Sequence, residues 1–287
     1  MPVYEALHRA LLKSELIHSD ETSLQVLREP GKAPQSKSSM WLYRTSGDAK
    51  HPVVLYEYQP DKTGGRPKAF LDGFHGYLQT DGASYYNSVE GVTHVGCWAH
   101  ARRKFEEAQK AMPKGKRSPT AEQGVAFCTK LFALEQGWKN LTPEERKKQR
   151  LEQAKPVLDA FSAWAQTRHA APKSKLGVAL TYLSNQWPHL CNYLLDGRLE
   201  LSNNRAERSI KPFVMGRKNW LFANTPVGAK SSAVLYSLIE TAKENGLDPY
   251  RYLCWVLKNA PILSRDNEDW AKMLLPWAAP MECKSEL

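Results

Sequence analysis

The chain has 287 residues, 42% apolar and 24% charged, with a formal net charge of +10. Such a length is long for one compact domain and short for three, and the composition excludes extensive disorder. No apolar run approaches the roughly 20 residues that cross a bilayer, and residues 1–8 are too polar for a signal peptide.

In chain order, residues 4–13 predict a helix, with Tyr4, Leu7, Leu11 and Leu12 on one face. Leu16–Asp20 reads as a short strand, and the Pro-, Gly-, Ser- and Lys-rich stretch 28–39 as a loop. Met40–Thr45 and Val53–Tyr58 read as two strands of a hairpin. A short helix over Arg66–Leu71, a strand over Gly76–Thr80, a second over Val92–Cys97 and a helix over Trp98–Met112 follow. Three antiparallel strands and then strand–helix alternation predict an α/β fold with a mixed sheet, helices packed on its faces.

Residues 113–119 break that rhythm, and from 120 to about 200 the sequence reads as helical throughout. Thr142-Pro143-Glu144-Glu145 places Thr as cap, Pro at the first helical position and Glu three residues after the cap. Leu176, Leu180, Leu183 and Trp187 share one stripe, most simply a core stripe. Ser202–Lys211 predicts a helix ended by Pro212, with Phe213–Asn224 an ordered loop or ribbon. Ser231–Asn245 reads as an amphipathic helix stopped by Gly246, and Asp248-Pro249 opens another to about Asn259.

Charge is concentrated. Residues 98–118 hold seven basic and two acidic side chains, and residues 202–230 hold six and one, so each window carries +5 and together they account for the excess. Two basic patches suit a polyanion such as DNA, and equally describe two solvated helix faces. The five cysteines are odd in number and show no Cys-x-x-Cys spacing, which argues against a disulfide framework or a zinc module and for reduced thiols in the cytoplasm.

Among candidate groups, Asp20 closes the first predicted strand and also fits a turn or cap. Asp81 ends the strand before a helix, although Asp-Gly recurs at Asp72-Gly73 and Asp196-Gly197. Glu207 has capping-box spacing from Asn204 and an i+4 partner in Lys211. His100 follows Cys97 by three residues without two further ligands at sensible spacing, and reads as a DNA-contacting or buried histidine. Arg102, Arg103, Arg217 and Lys218 suit phosphate contacts, and Trp220 suits either a stacked base or a core anchor.

Five strings carry a resemblance: His18-Ser19-Asp20-Glu21-Thr22, Leu78-Gln79-Thr80-Asp81-Gly82-Ala83, Gly96-Cys97-Trp98-Ala99-His100-Ala101-Arg102-Arg103-Lys104-Phe105, Leu201-Ser202-Asn203-Asn204-Arg205-Ala206-Glu207-Arg208 and Gly216-Arg217-Lys218-Asn219-Trp220-Leu221-Phe222. In order and from about residue 5 to residue 277, they resemble the bacterial insertion-sequence transposases of family sixty-six. The resemblance implies a ribonuclease-H-like core interrupted by a mainly helical insertion. The core would occupy residues 1–117 and 202–246, the insertion 118–201 and a C-terminal helical tail 247–287. It further implies an Asp-Asp-Glu triad of Asp20, Asp81 and Glu207 holding Mg²⁺ or Mn²⁺. DNA contacts are expected from Arg102, Arg103, Lys104, Arg205, Arg208, Arg217, Lys218 and Trp220.

The expected activity is metal-dependent strand cleavage and strand transfer at insertion-sequence ends. Expected partners are end and target DNA, further copies of the chain and accessory transposition proteins. Family members carry an N-terminal region with DNA-binding and zinc-binding elements, and this chain begins near the catalytic core. That departure motivates an alternative, a truncated DNA-binding or regulatory partner of a full-length transposase without chemistry of its own. A third reading is another nuclease on the same fold, such as a junction resolvase.

Overall fold

The computed structural model describes residues 2–266 and 269–285. The chain opens with helix α1 (Pro2–Leu12) and then lays down strands β1 (Leu16–Gln25), β2 (Lys37–Thr45) and β3 (Val54–Gln59). Helix α2 (Gly65–Phe70), strand β4 (Tyr77–Gln79), a 3-10 turn (Ser84–Ser88) and strand β5 (Thr93–Val95) follow. Next come α3 (Trp98–Lys110), α4 (Pro119–Gly137) and α5 (Pro143–Gln149), then a π-helical turn (Arg150–Ala154), α6 (Lys155–Gln166) and α7 (Lys175–Cys191). The last helices are α8 (Asn204–Trp220), α9 (Pro226–Glu244) and α10 (Pro249–Asp266). The strands form one mixed sheet in the order β3-β2-β1-β4-β5, with β1–β2 and β2–β3 antiparallel.

The chain divides into two compact units. One comprises Met1–Leu78, Ala83–Val92 and Arg205–Leu287, and the other Gln79–Gly82 and Thr93–Asn204. In the first unit the strand alternation sorts side chains to two faces. Ile17, Trp41, Tyr43 and Leu55 face one core, with Leu7 and Leu11 of α1, Phe70, Phe74 and Tyr86. Tyr43 stacks on Phe70 at 4.0 Å. Leu24, Met40, Leu42, Tyr56 and Tyr58 face the other core, closed by Ala206, Ile210 and Phe213 of α8 and Ala229 and Ala233 of α9.

β3 is an edge strand, and α9 covers its open backbone. Tyr56 N donates to Ser237 Oγ at 2.8 Å, and Val54 N donates to Thr241 Oγ1 at 3.0 Å. Serine and threonine are poor choices for a helix interior on propensity alone. Here their hydroxyls take the ladder bonds that a further strand would have taken, so the edge offers no template for another chain.

Two sequence expectations change in this unit. β1 runs to Gln25, past Asp20, because the polar stretch Glu21-Thr22-Ser23 pairs with Trp41, Met40 and Ser39 of β2. Helix α8 does not stop at Pro212 but runs to Trp220. Proline removes one helical hydrogen bond and commonly breaks a helix interior. The buried stripe of Ala206, Ile210 and Phe213 spans Pro212 and holds both halves of α8 against the sheet.

In the second unit, an aromatic cluster joins α3, α4, α6 and α7. Trp98 meets Trp187 edge-on at 5.8 Å, and Phe127 stacks on Phe161 at 4.6 Å. A Cβ on Gly124 would lie 2.5 Å from the Phe105 ring, so glycine sets the approach of α4 to α3. Arg150, fully buried in the π-helical turn, pairs with Glu135 and donates to the carbonyls of Tyr193, Asp196 and Leu199. A buried charge is tolerated when every donor finds a partner, and these bonds pin the chain between α7 and α8. The predicted capping box at Thr142 and Glu145 is formed. All five cysteines are free thiols, and burial pushes Cys128 up to about 12.

Candidate active site

Asp20 sits in the middle of β1, opposite Leu42 of β2. Residues directly opposite in an antiparallel pair point to the same face, so Asp20 shares a face with Leu42, and with Thr22 and Leu24 along its own strand. Leu24 and Leu42 belong to the core that α8 closes. Asp20 is therefore aimed at the side of the sheet on which α8 lies. Its Oδ1 accepts a hydrogen bond from Glu21 N at 2.9 Å, and the residue is half-buried.

Glu207 stands in the first turn of α8, beside the fully buried Ala206. It is half-buried and flanks the stripe that packs on the sheet. α8 begins at Asn204 itself, so the capping-box spacing read from Asn204 is displaced by a residue. At the other end of the helix, Arg217 Nη1 donates to Thr22 Oγ1 at 3.0 Å, on the Asp20 face.

The neighbouring carboxylate takes the opposite course. Glu21 points to the far face, where Lys62, Tyr85 and Tyr86 all donate to it. Ser19, on that same face, donates to Leu42 O and to the Tyr86 hydroxyl. Strand parity thus sends Asp20 and Glu21 to opposite faces of the sheet, with Glu21 held by three donors.

Asp81 belongs to the second unit, just after β4. Its loop is fixed by α7: the Tyr182 hydroxyl donates to Asp81 O at 2.8 Å, and Gln186 Nε2 donates to Gly82 O at 3.2 Å. Gly82 N donates to Thr80 Oγ1, and Gly82 holds φ of 86°, a left-handed value that favours glycine. The other Asp-Gly pairs differ. Asp196 is held by Arg198 at 2.7 Å, which keeps its carboxyl below the usual range. Gly73, after the exposed Asp72, has open space around it. Spacing alone did not single out Tyr182 or Gln186, because both read as ordinary helix positions.

Among the basic candidates, Arg103, Arg208 and Lys218 are exposed, and Arg103 Nη2 lies 3.3 Å from His100 Nε2. Arg102 pairs with Glu106 at 2.9 Å, and the Lys104 ammonium lies 6.0 Å from the Tyr182 ring centre. Arg205 lies against Gly47, where a Cβ would clash with its guanidinium. Trp220 is half-buried and meets Phe213 edge-on at 5.3 Å, as a core anchor would. The exposed apolar residues beside it are Leu221 and Phe222, neither of which the sequence singled out.

The chain is similar to known proteins over most of its length. A family model described as Transposase IS66 family matches residues 1–231, and one described as IS66 C-terminal element matches residues 237–277. Among curated relatives, Uncharacterized protein y4hP of Sinorhizobium fredii is 31% identical over 281 residues, covering 90% of this chain and 50% of the relative. Uncharacterized protein y4qI of the same organism is 30% identical over 285 residues, covering 92% of this chain and 51% of the relative. The chain spans about half the length of these curated relatives. No solved structure matches it. Among the described residues, no helix is long and apolar enough to cross a membrane.

Proposed function

The chain belongs to the IS66 transposase family, and from that membership and the site geometry we propose that it cuts and joins DNA at insertion-sequence ends, with Asp20, Asp81 and Glu207 as the catalytic carboxylates. The observation that carries this reading is the placement of Asp20, on a central strand and aimed at the side of the sheet covered by the Glu207 helix. Three antiparallel strands followed by two short ones beyond β1 support a ribonuclease-H-like core.

The donor set fits a hard divalent cation, because carboxylate oxygens suit Mg²⁺ and Mn²⁺. Two such ions, when bound, activate the attacking oxygen and offset charge on the phosphate and leaving oxygen. The protein's own part is positional. β1 holds Asp20 rigidly, α7 fixes the Asp81 loop through Tyr182 and Gln186, and α8 carries Glu207 on a helix packed along the sheet. Arg103, Arg208, Arg217 and Lys218, with Arg102, Lys104 and Arg205, grip backbone phosphates without reading sequence. Cleavage releases a 3′-hydroxyl at the transposon end, and that hydroxyl attacks target DNA in line. Paired ends call for more than one copy of the chain, with accessory transposition proteins as further partners.

The test is strand cleavage and transfer on end-containing DNA with Mg²⁺ or Mn²⁺. Activity is expected from the natural chain and not from Asp81→Asn. Cleavage by Asp81→Asn at the natural rate overturns the assignment. Salt-dependent, metal-independent binding with no cleavage assigns the chain instead to a DNA-binding partner, and preference for branched over linear DNA to a junction nuclease.

A further inference from the structure

Helix α8 ends in an unusual way. Leu221 has φ of 64°, the one positive φ at a non-glycine position among the described residues. A leucine in the left-handed region brings its Cβ against the following carbonyl, so glycine or asparagine ordinarily fills such a helix end. Burial does not offset the strain, because Leu221 is 63% exposed and the next residue, Phe222, is 42% exposed.

Nor is the turn loosely held. Leu221 N donates to Arg217 O at 2.8 Å, Ala223 N to Gln25 O at 2.9 Å, Leu27 N to Ala223 O at 3.0 Å and Arg28 N to Asn224 O at 2.9 Å. The extension of β1 thus clamps the chain on the far side of the tip, while Trp220 turns inward onto Phe213. The result is a rigid apolar tip, with exposed Lys218 close by in the chain and exposed Arg28 brought to the turn by its backbone bond to Asn224. Exposed as they are, Leu221 and Phe222 add little burial to the core. Backbone strain of this kind persists where the surrounding structure fixes it, and it clusters at active sites and ligand clamps.

We propose that Leu221 and Phe222 form a wedge that enters DNA between stacked base pairs and opens that step beside the strand to be cut. The proposal rests on the DNA-processing reading above. Three features select DNA as the occupant. The flanking side chains are cationic, the same helix carries Glu207, and Arg217 ties the helix end to the Asp20 strand. Apolar side chains inserted in this way unstack a base step and kink the duplex, and surrounding basic residues hold the phosphates.

The experiment uses the full chain and short duplexes of the insertion-sequence end, with 2-aminopurine placed at successive positions. Binding is followed separately by fluorescence anisotropy in Ca²⁺, which suppresses cleavage. For the natural chain, a several-fold rise in 2-aminopurine emission is expected at one step. Phe222→Ala and Leu221→Gly should lose that rise while keeping affinity within about tenfold. Leu221→Gly relieves the strain, so its melting temperature should hold or increase. A mismatch built into the opened step should restore cleavage by both variants, which a merely structural role would not allow. Binding without any rise at any position overturns the wedge and leaves the DNA reading standing, as does an undiminished rise in the variants. Absence of DNA binding removes the DNA reading and the wedge together.

Discussion

Arg217 Nη1 donates to Thr22 Oγ1 at 3.0 Å, tying the last turn of the Glu207 helix to the strand that carries Asp20, two residues from that carboxylate. The bond sets the register of α8 along the sheet, and through it the placement of Glu207. Small displacements of catalytic groups cost up to roughly 10²-fold in rate. Thr22→Val removes the acceptor while leaving every cation in place. Strand cleavage by Thr22→Val should fall about tenfold or more with DNA affinity unchanged. Arg217→Ala should lose both rate and affinity, because the proposed function also assigns its guanidinium a phosphate contact. Equal cleavage by Thr22→Val and the natural chain would remove the register role.

The Asp81 loop gives a second, independent test within the other unit. Tyr182→Phe deletes the hydroxyl that donates to Asp81 O, and Gln186→Ala deletes the donor to Gly82 O. Each should cost about 1 kcal/mol of stability, the worth of one hydrogen bond. Cleavage should fall by more than stability explains, and the double variant should fall furthest. Gly82→Ala should be worse still, since its Cβ would lie 2.5 Å from the Gln186 side chain at a left-handed φ. Urea unfolding alongside a cleavage assay separates the two effects.

Glu57 makes a pH prediction. It faces the core opposite Asp20, and burial pushes its carboxyl up to about 7 from an ordinary 4.5. The Gln59 amide donates to Oε1 at 2.6 Å, while Oε2 is buried without a partner among the described residues. The folded protein therefore holds this proton more tightly than the unfolded chain. The stability it contributes is present below about pH 4.5 and is lost as pH rises through about 7. Glu57→Gln should thus stabilise the protein at pH 8 by roughly 3 kcal/mol and have little effect near pH 4.5. Chemical denaturation at the two pH values reads the difference, and an equal effect at both would contradict the burial argument.

The covered edge of β3 yields a stability prediction. Ser237→Ala leaves the buried Tyr56 N–H without its acceptor, and Thr241→Val does the same at Val54. Each should cost about 1–3 kcal/mol, and the double variant should be prone to self-association through the bared edge. Denaturation midpoints and light scattering are the measurements. A neutral Ser237→Ala would show that Tyr56 N–H finds another partner.

Strand alternation and capping made much of the fold legible from sequence. The α1, β2 and β3 segments, the strand–helix alternation and the Thr142–Glu145 capping box follow from local pattern, because apolar periodicity and end chemistry are local properties. The errors came where tertiary packing overrides local preference. Glu21-Thr22-Ser23 carries no apolar alternation, yet pairing with β2 makes it strand. Pro212 signals a stop, yet the stripe from Ala206 to Phe213 carries the helix past it. At the site, the family strings pointed to Asp20, Asp81 and Glu207, while the supporting contacts were out of reach. Tyr182 lies 101 residues from Asp81 and Arg217 lies 195 from Thr22, separations over which one sequence holds no pairing signal.

The central claim is that Asp20, Asp81 and Glu207 together hold divalent metal. Crystals grown with Mn²⁺ and end DNA, measured for anomalous scattering from manganese, test it most directly. The account predicts one or two manganese peaks coordinated by carboxylate oxygens of all three residues, about 3.5–4 Å apart if two are present. Manganese bound elsewhere in a DNA-loaded complex, with the Glu207 carboxylate remote from Asp20, would contradict it.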